Sequence, residues 1–226
     1  MKLRQNIDVL KEYTQPQGRE ILDIGAGDGH VVRALNQFGA AKVIGLECTQ
    51  RQIDKAINAN TPLYVKGFGQ NLPFPNHCFD IAIFFNSLHH VPVALQTQAL
   101  NEAARVIKPS GFIYVWEPIA TGPFFELLKP IDDETSVRAQ AYAAITQNPN
   151  LKIILEETYA HTISLPNFNA LKDRIISANP EREDKFNQLA PQIQAKFTEL
   201  AQFISPNFTF TQPIRINILK PNLGYF

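Results

Sequence analysis

The stretch "DIGAGDGH", residues 23–30, packs three glycines into five positions directly behind an acidic residue and the short apolar run "EILDI" at 20–24. Glycines between a strand and a helix let the backbone approach a ligand closely and point helix N-terminal amides at it. The segment that follows, "HVVRALNQFG", has the apolar spacing of a helix that closes at Gly39. The local unit therefore reads strand, turn, helix.

The same grammar repeats downstream. "KVIGLE" at 42–47 reads as a second strand, "TQRQIDKAINAN" as a helix with Thr49 as its N-cap, and "PLYVKG" as a third strand. "FDIAIFF" (79–85), a helix from Pro92 to Val106 and "GFIYVWEP" (111–118) continue the alternation. Strands separated by helices predict a parallel sheet covered on both faces, because parallel neighbours need crossovers and those are right-handed. The expected class is a doubly wound α/β domain.

Beyond Pro118 the pattern changes. "ETSVRAQAYAAITQ" reads as a helix and "KIILEETYAHTISL" (152–165) as a strand. Two amphipathic helices are expected next, one grouping Phe168, Leu171, Ile175 and Ile176, the other Phe186, Leu189, Ile193, Phe197, Leu200 and Ile204. Pro213 places the last strand, "FTFTQPIRINIL", at an edge or a bulge. With no repeat or linker, residues 1–226 are expected to form one domain. Its cofactor half spans 20–118, and its substrate or lid elements 119–148 and 167–204.

Charge decides which ligand the glycine turn suits. In the dinucleotide fingerprint G-x-G-x-x-G, Gly25 and Gly27 would fill the first two places, but His30 stands in the last, with the third glycine at 29. Asp23 would also set a carboxylate beside a pyrophosphate, where like charge disfavours binding. A cationic ligand reverses that sign, and S-adenosylmethionine carries an ammonium and a sulfonium but no phosphate. Glu47, about twenty residues beyond the turn, ends the second strand, where an acidic side chain accepts ribose hydroxyls in folds of this type.

Bulk properties exclude other classes. Twenty-one basic residues balance 21 acidic ones, so no global field favours a nucleic-acid backbone or an anionic membrane. The longest apolar run, "IAIFF", is too short to span a bilayer, so a soluble, cytoplasmic protein is expected. Cys48 and Cys78 lack metal-ligand spacing; they are expected to be buried structural thiols, and no metal site is expected.

Taken in order, "ILDIGAGDGH", "VIGLE", "QNLPFPNHCFDIAIFFNSLHHV" and "GFIYVWEP" resemble the motifs of class I S-adenosylmethionine-dependent methyltransferases, in the branch related to the ubiquinone/menaquinone methyltransferases. The resemblance is strong over residues 20–118. It implies a Rossmann-like seven-stranded sheet, mostly parallel with an antiparallel last strand, helices on both faces and a helical lid. It also implies that Asp23, Gly25, Ala26 and Gly27 lie under the methionine end of the cofactor and that Glu47 holds the ribose. "GFGQNLPF" (67–74) matches the segment that contacts adenine, which brings in Phe68, Gly69 and Gln70. The family commonly has an aspartate where Phe68 stands, and a phenyl ring cannot accept the bond from the adenine amino group. Asn86 and Ser87 sit where backbone carbonyls meet the cofactor ammonium in relatives.

Methyl transfer from a sulfonium is an in-line displacement, dominated by holding nucleophile and methyl carbon close in a dry pocket. A general base is needed only where the acceptor must lose a proton. His89 and His90, just past the fourth strand, and Glu117, ending the fifth, are the candidate catalytic groups. His30 and His161 read as structural. Trp116, Phe124, Phe125, Tyr142 and Phe168 are candidates for an apolar acceptor pocket, with core packing as the simpler account of most. The acidic run at 132–134 reads as a solvated cap for the next helix.

"NSLHHV" lacks the polar-Pro-Pro-aromatic motif of nucleic-acid amino-methyltransferases, so the expected acceptor is a small molecule. Two other readings stay open: a non-catalytic module that binds an adenosyl compound, motivated by Phe68, and a nicotinamide-dependent oxidoreductase. Oligomeric state does not follow from the sequence.

Overall fold

The computed structural model describes residues 1–222. Eight helices and eight strands follow in chain order. They are α1 (Asn6–Thr14), β1 (Glu20–Ile24), α2 (His30–Gln37), β2 (Lys42–Glu47), α3 (Gln50–Asn58), β3 (Tyr64–Lys66), β4 (Phe79–Phe85), α4 (Gln96–Val106), β5 (Ile107–Pro118), α5 (Pro123–Leu128), α6 (Thr135–Thr146), β6 (Leu151–Leu165), α7 (Phe168–Ala178), α8 (Glu183–Leu200), β7 (Gln202–Ile204) and β8 (Asn207–Pro221). Single 3₁₀ turns lie at Leu88–His90, Val93–Leu95 and Pro180–Arg182.

The strands are ordered β3-β2-β1-β4-β5-β8-β6, with β7 paired to β8. β1 through β5 run parallel and the C-terminal strands antiparallel. The sheet is mixed α/β, as the strand and helix alternation requires. The chain divides into two compact units. The larger holds Asn6–Glu117, Val137–Thr158 and the chain from Arg215; the smaller holds Met1–Gln5, Pro118–Ser136 and Tyr159–Ile214.

In the larger unit, strand order reverses between β1 and β4, and such a switch point is where open α/β sheets form a crevice at the carboxyl ends of their strands. Register then decides what faces the crevice. Asp23 is level with Gly45 and Ile83, Gly45 with Tyr64, and Ile83 with Tyr114. Because strand side chains alternate, the next residues on that face are Glu47, Phe85 and Trp116. The opposite face carries Leu22, Ile24, Ile44, Leu46, Ala82, Phe84, Ile113 and Val115. These form one buried cluster with Ala99, Leu100, Ala103 and Ala104 of α4, whose three alanines let the helix lie close to the sheet. Each fully buried aliphatic side chain there contributes about 1.5–3 kcal/mol.

A charged clamp fixes the segment that leads into β4. Arg105 donates to the Glu102 carboxylate (2.7 Å), to the carbonyls of Leu72 (3.0 Å) and Phe74 (2.8 Å), and to the Asn76 side chain (2.9 Å), while Glu102 accepts from the Leu72 N–H (2.9 Å). The guanidinium beside it holds the Glu102 carboxyl below its ordinary range.

The smaller unit has its own apolar cluster. Leu171 and Ile175 of α7 and Phe186, Ile193 and Phe197 of α8 bury against Phe124, Leu127, Ile163, Leu165 and Phe210. Arg182 pairs with Asp132 and lies 3.9 Å from Glu134, and Asp133 accepts from the Thr135 N–H (3.1 Å), capping α6.

Three expectations need correction, and one helix was not anticipated. Strand β8 lies between β5 and β6, so of the two positions expected for Pro213 the sheet edge is excluded; Pro213, which lacks an N–H, still accepts from Ile119 through its carbonyl (2.8 Å). The second late helix stops at Leu200, and Ile204 stands in β7 with 60% exposure, because the chain turns into a hairpin before it. The helix not anticipated is α5, within residues 119–148, which begins at Pro123 with proline in the first turn, where a missing N–H costs nothing. Finally, Cys48 is exposed and Cys78 only partly buried, since both sit just outside the strand interiors.

Arg105→Ala is expected to lower unfolding free energy by about 2 kcal/mol, since several hydrogen bonds to a charged group are lost at once. Urea denaturation of the two proteins measures the difference.

Candidate functional site

The turn after β1 is stapled to its neighbours by main-chain bonds. The N–H groups of Gly25 and Ala26 both donate to the Leu46 carbonyl (2.8 and 3.0 Å), and the Ser87 hydroxyl donates to the Ile24 carbonyl (2.6 Å). Gly25 has φ +76°, and a Cβ there would lie 2.6 Å from that of Ser87. Both facts require glycine.

Tyr64 braces the turn from the third strand. Its hydroxyl donates to the carbonyls of Ala26 (3.2 Å) and Gly27 (3.0 Å), and its ring occupies the space that a side chain at position 45 would fill. Burial, with the nearby Asp23 and Glu47 charges, raises its phenol well above the ordinary value. The reading from sequence missed this residue. Strand parity could have found it, because Tyr64 lies on the row that contains Gly45 and Asp23.

Glu47 is buried and tied to the same turn. One carboxylate oxygen accepts from the Gly27 N–H (3.1 Å); the other accepts from the Thr49 N–H and hydroxyl (both 2.9 Å) and from the Cys48 thiol (3.5 Å). Thr49 therefore occupies the N-cap position of α3 without capping it through its side chain, because its hydroxyl serves Glu47 instead. Phe68, Gly69 and Gln70 are linked to this acid through Gly67, whose N–H donates to the Glu47 carbonyl (3.1 Å).

Asp23 differs from every other acid nearby. It is 1% exposed, and neither carboxylate oxygen has a hydrogen-bond partner among the described residues. Burial pushes its carboxyl up to about 7, the His30 charge opposing this and the Glu47 charge adding to it. A buried acid with no donor is a costly feature unless a cation or donor arrives. Gly25, beside it, is exposed, so the backbone at this point is open to a ligand.

At the end of β4, Asn86 adopts φ +57° and donates its N–H to the Trp116 carbonyl (2.8 Å). Glu117 accepts from the N–H groups of Leu88 (2.9 Å) and His89 (3.3 Å) through one oxygen and meets the His89 ring nitrogen Nδ1 with the other. The His89 side chain is 1% exposed, whereas His90, with its ring centroid 4.0 Å away, is exposed. The two histidines are therefore not equivalent: one is held inside, the other faces solvent. His30 is also exposed, bonded to Asp28 (3.1 Å), with its ring edge on Phe85. His161 lies 3.4 Å from the Arg4 carbonyl, and burial lowers its pKa.

The aromatic candidates separate. Trp116 stacks on Phe85 with centroids 4.3 Å apart, on the face shared by Asp23 and Glu47. Tyr142 is covered by Arg215 (3.6 Å to the ring centroid) and donates to Glu156, so its faces are spent on β6 and β8. Phe124 and Phe168 pack in the apolar cluster of the smaller unit, and Phe125 is buried in α5.

Residues 22–115 match the family model described as a methyltransferase domain. That segment contains every residue of the glycine turn beyond Asp23, both carboxylates, the Phe68 turn and both histidines. An uncharacterized methyltransferase of Mycobacterium leprae is 36% identical over 112 residues, 48% of this chain and 40% of that protein. The chain thus spans less than half the length of the curated relative it matches. Among solved structures, the YcgJ protein from Bacillus subtilis superposes with a TM-score of 0.62 at 20% identity, covering 96% of this chain and 98% of that one. The [4+2]-cyclase SpnF superposes with a TM-score of 0.60 at 17% identity, covering 92% and 79%. The fold is the Rossmann-like fold of methyltransferases. Among the described residues, no helix is long and apolar enough to cross a membrane.

The burial of Asp23 has a measurable cost. Its carboxyl titrates at about 7 in the folded chain against 3.8 for the free side chain, so between those values the folded protein keeps a proton that the unfolded chain has lost. This contribution to stability is full below pH 4 and falls by roughly 1.4 kcal/mol per pH unit until pH 7. Asp23→Asn is expected to leave the melting temperature nearly unchanged at pH 3.5, below the unfolded value, and to raise it by about 5 °C or more at pH 8. Thermal melts of both proteins at the two pH values decide it.

Proposed function

We propose that this chain is an S-adenosylmethionine-dependent methyltransferase of the ubiquinone/menaquinone-related branch, acting in the cytoplasm on a small-molecule acceptor. The observation that carries the reading is the buried carboxylate of Asp23, without a donor among the described residues, beside the exposed backbone of Gly25. A cationic ligand satisfies that acid and a pyrophosphate does not, which weighs against a nicotinamide cofactor. The residues fit the group: Asp23, Gly25, Ala26, Gly27, Asn86 and Ser87 would hold its amino-acid end, Glu47 its ribose, and Phe68, Gly69 and Gln70 its base. When bound, the cofactor supplies a methyl group activated by its sulfonium.

Roles at the end of β4 follow from exposure. His90 is the exposed imidazole of the pair and is assigned the role of taking a proton from the acceptor where the acceptor carries one. His89 and Glu117 are a positioning pair, because Glu117 spends its oxygens on the main chain and ring of the Leu88–His90 turn. Acceptor choice is assigned to residues 119–148 and 167–204, which lie outside the matched segment.

A second reading, binding without methyl transfer, draws support from the SpnF cyclase, since this fold also occurs in a protein named for another reaction. Incubation with S-adenosylmethionine and a panel of hydroxyl, amine and thiol acceptors separates the two. Release of S-adenosylhomocysteine supports methyl transfer; tight binding with no release for any acceptor supports the second reading.

Two outcomes are expected before any acceptor is known. In calorimetric titration, S-adenosylmethionine and S-adenosylhomocysteine bind and NADH does not; binding at pH 6 releases close to one proton as the ligand ammonium ionises Asp23, and affinity rises with pH up to about 7. Asp23→Ala abolishes that binding. His89→Ala lowers the melting temperature by several degrees, while His90→Ala leaves it unchanged. Equal melting temperatures for the two variants would contradict the division of roles.

A further inference from the structure

The turn at Gly67–Gln70 contains an apolar side chain that the fold does not use. Phe68 is 58% exposed, although its backbone is fixed on both sides: the Gly67 N–H is bonded to the Glu47 carbonyl (3.1 Å) and the Phe68 carbonyl accepts from Asn71 (3.1 Å). An exposed phenyl ring on an anchored turn, joined through the Gly67 N–H to the acid assigned to the ribose, presents a face on which a flat group can stack.

The turn is poor in side chains that read a base by its edge. Gly67, Phe68 and Gly69 offer none, and the Gln70 carbonyl already accepts from the Gln98 side chain (2.9 Å). The one polar side chain before Asn71 is the half-buried amide of Gln70, which presents a donor or an acceptor according to how it is turned. Such a group meets an amino or an oxo substituent equally well. A carboxylate would not, because it only accepts.

We infer that Phe68 is a stacking platform for the purine of the nucleoside ligand, so the pocket recognises the base by its face and tolerates an oxo group in place of the 6-amino group. This rests on the donor reading above and deepens it: the ligand class widens from adenosyl to 6-substituted purine nucleosides carrying the same amino-acid tail. Stacking is indifferent to the edge substituent, since every base offers a π face.

The test compares S-adenosylhomocysteine with S-inosylhomocysteine by calorimetric titration of the full chain, its Phe68→Ala variant and its Phe68→Asp variant. Thermal melts are expected to coincide, because the side chain is exposed. The wild-type chain should bind the two compounds within about 3-fold of each other. Phe68→Ala should weaken both by a similar factor, about 5- to 100-fold. Phe68→Asp should restore a preference for the adenosyl compound of 10-fold or more. Rejection of the inosyl compound by the wild type, or full affinity for both in Phe68→Ala, overturns the role of Phe68 while leaving the donor reading intact. Binding of neither compound by the wild type overturns both.

Discussion

The shared acceptance of two N–H groups by the Leu46 carbonyl is the contact on which the site depends. It turns the chain sharply at the end of β1, where the strand would otherwise run on, and brings the Gly27 amide to Glu47 and the Ala26 and Gly27 carbonyls to Tyr64. Main-chain groups at the ends of β1 and β2 and the side chains of Glu47, Tyr64 and Ser87 thus fix the turn. Such a site is pre-organised, so little ordering entropy is spent when something binds.

Against this rigid frame, Asp23 is the feature that the fold alone would not retain. An asparagine or an apolar residue would sit there at lower cost, because nothing in the described structure repays the burial of a charge. Local destabilisation of this kind gathers where a ligand supplies the missing partner. The surrounding acids, Glu47 and Asp28, are satisfied by donors, Asp28 so well that its hydrogen bond with His30 pulls its carboxyl down to about 2. The contrast is what makes Asp23 informative.

The strands that build this region were legible because their sequences are short, apolar and bounded by glycine or polar residues: "EILDI", "KVIGLE" and "FDIAIFF" are β1, β2 and β4 residue for residue. The glycine turn and Glu47 were legible for the same reason, each standing at the end of a clear strand. Tyr64 was not, because its importance lies in a row across three strands and no spacing within one segment reveals it. For Pro213 the edge alternative failed, because the rule about sheet edges concerns a missing donor, and strand order is set by pairings far away in sequence. Ile204 misled through periodicity: a helical repeat continues in the side chains after the backbone has already turned into a hairpin. The difference between His89 and His90 needed coordinates, since adjacent identical residues carry no signal about which is covered.

The division of the chain into two units has a consequence for its engineering and its ancestry. The backbone passes between them at Gln5, Glu117, Ser136, Thr158 and Ile214, and two of those points fall inside the continuous strands β6 and β8. No single cut yields either unit as an uninterrupted polypeptide. Recombination that replaces the smaller unit whole must splice within β strands and preserve their register, whereas substitution along α7 and α8 requires no splice. Diversification of this part of the chain is therefore expected to proceed by point changes on the helices, with the long strands kept as fixed rails.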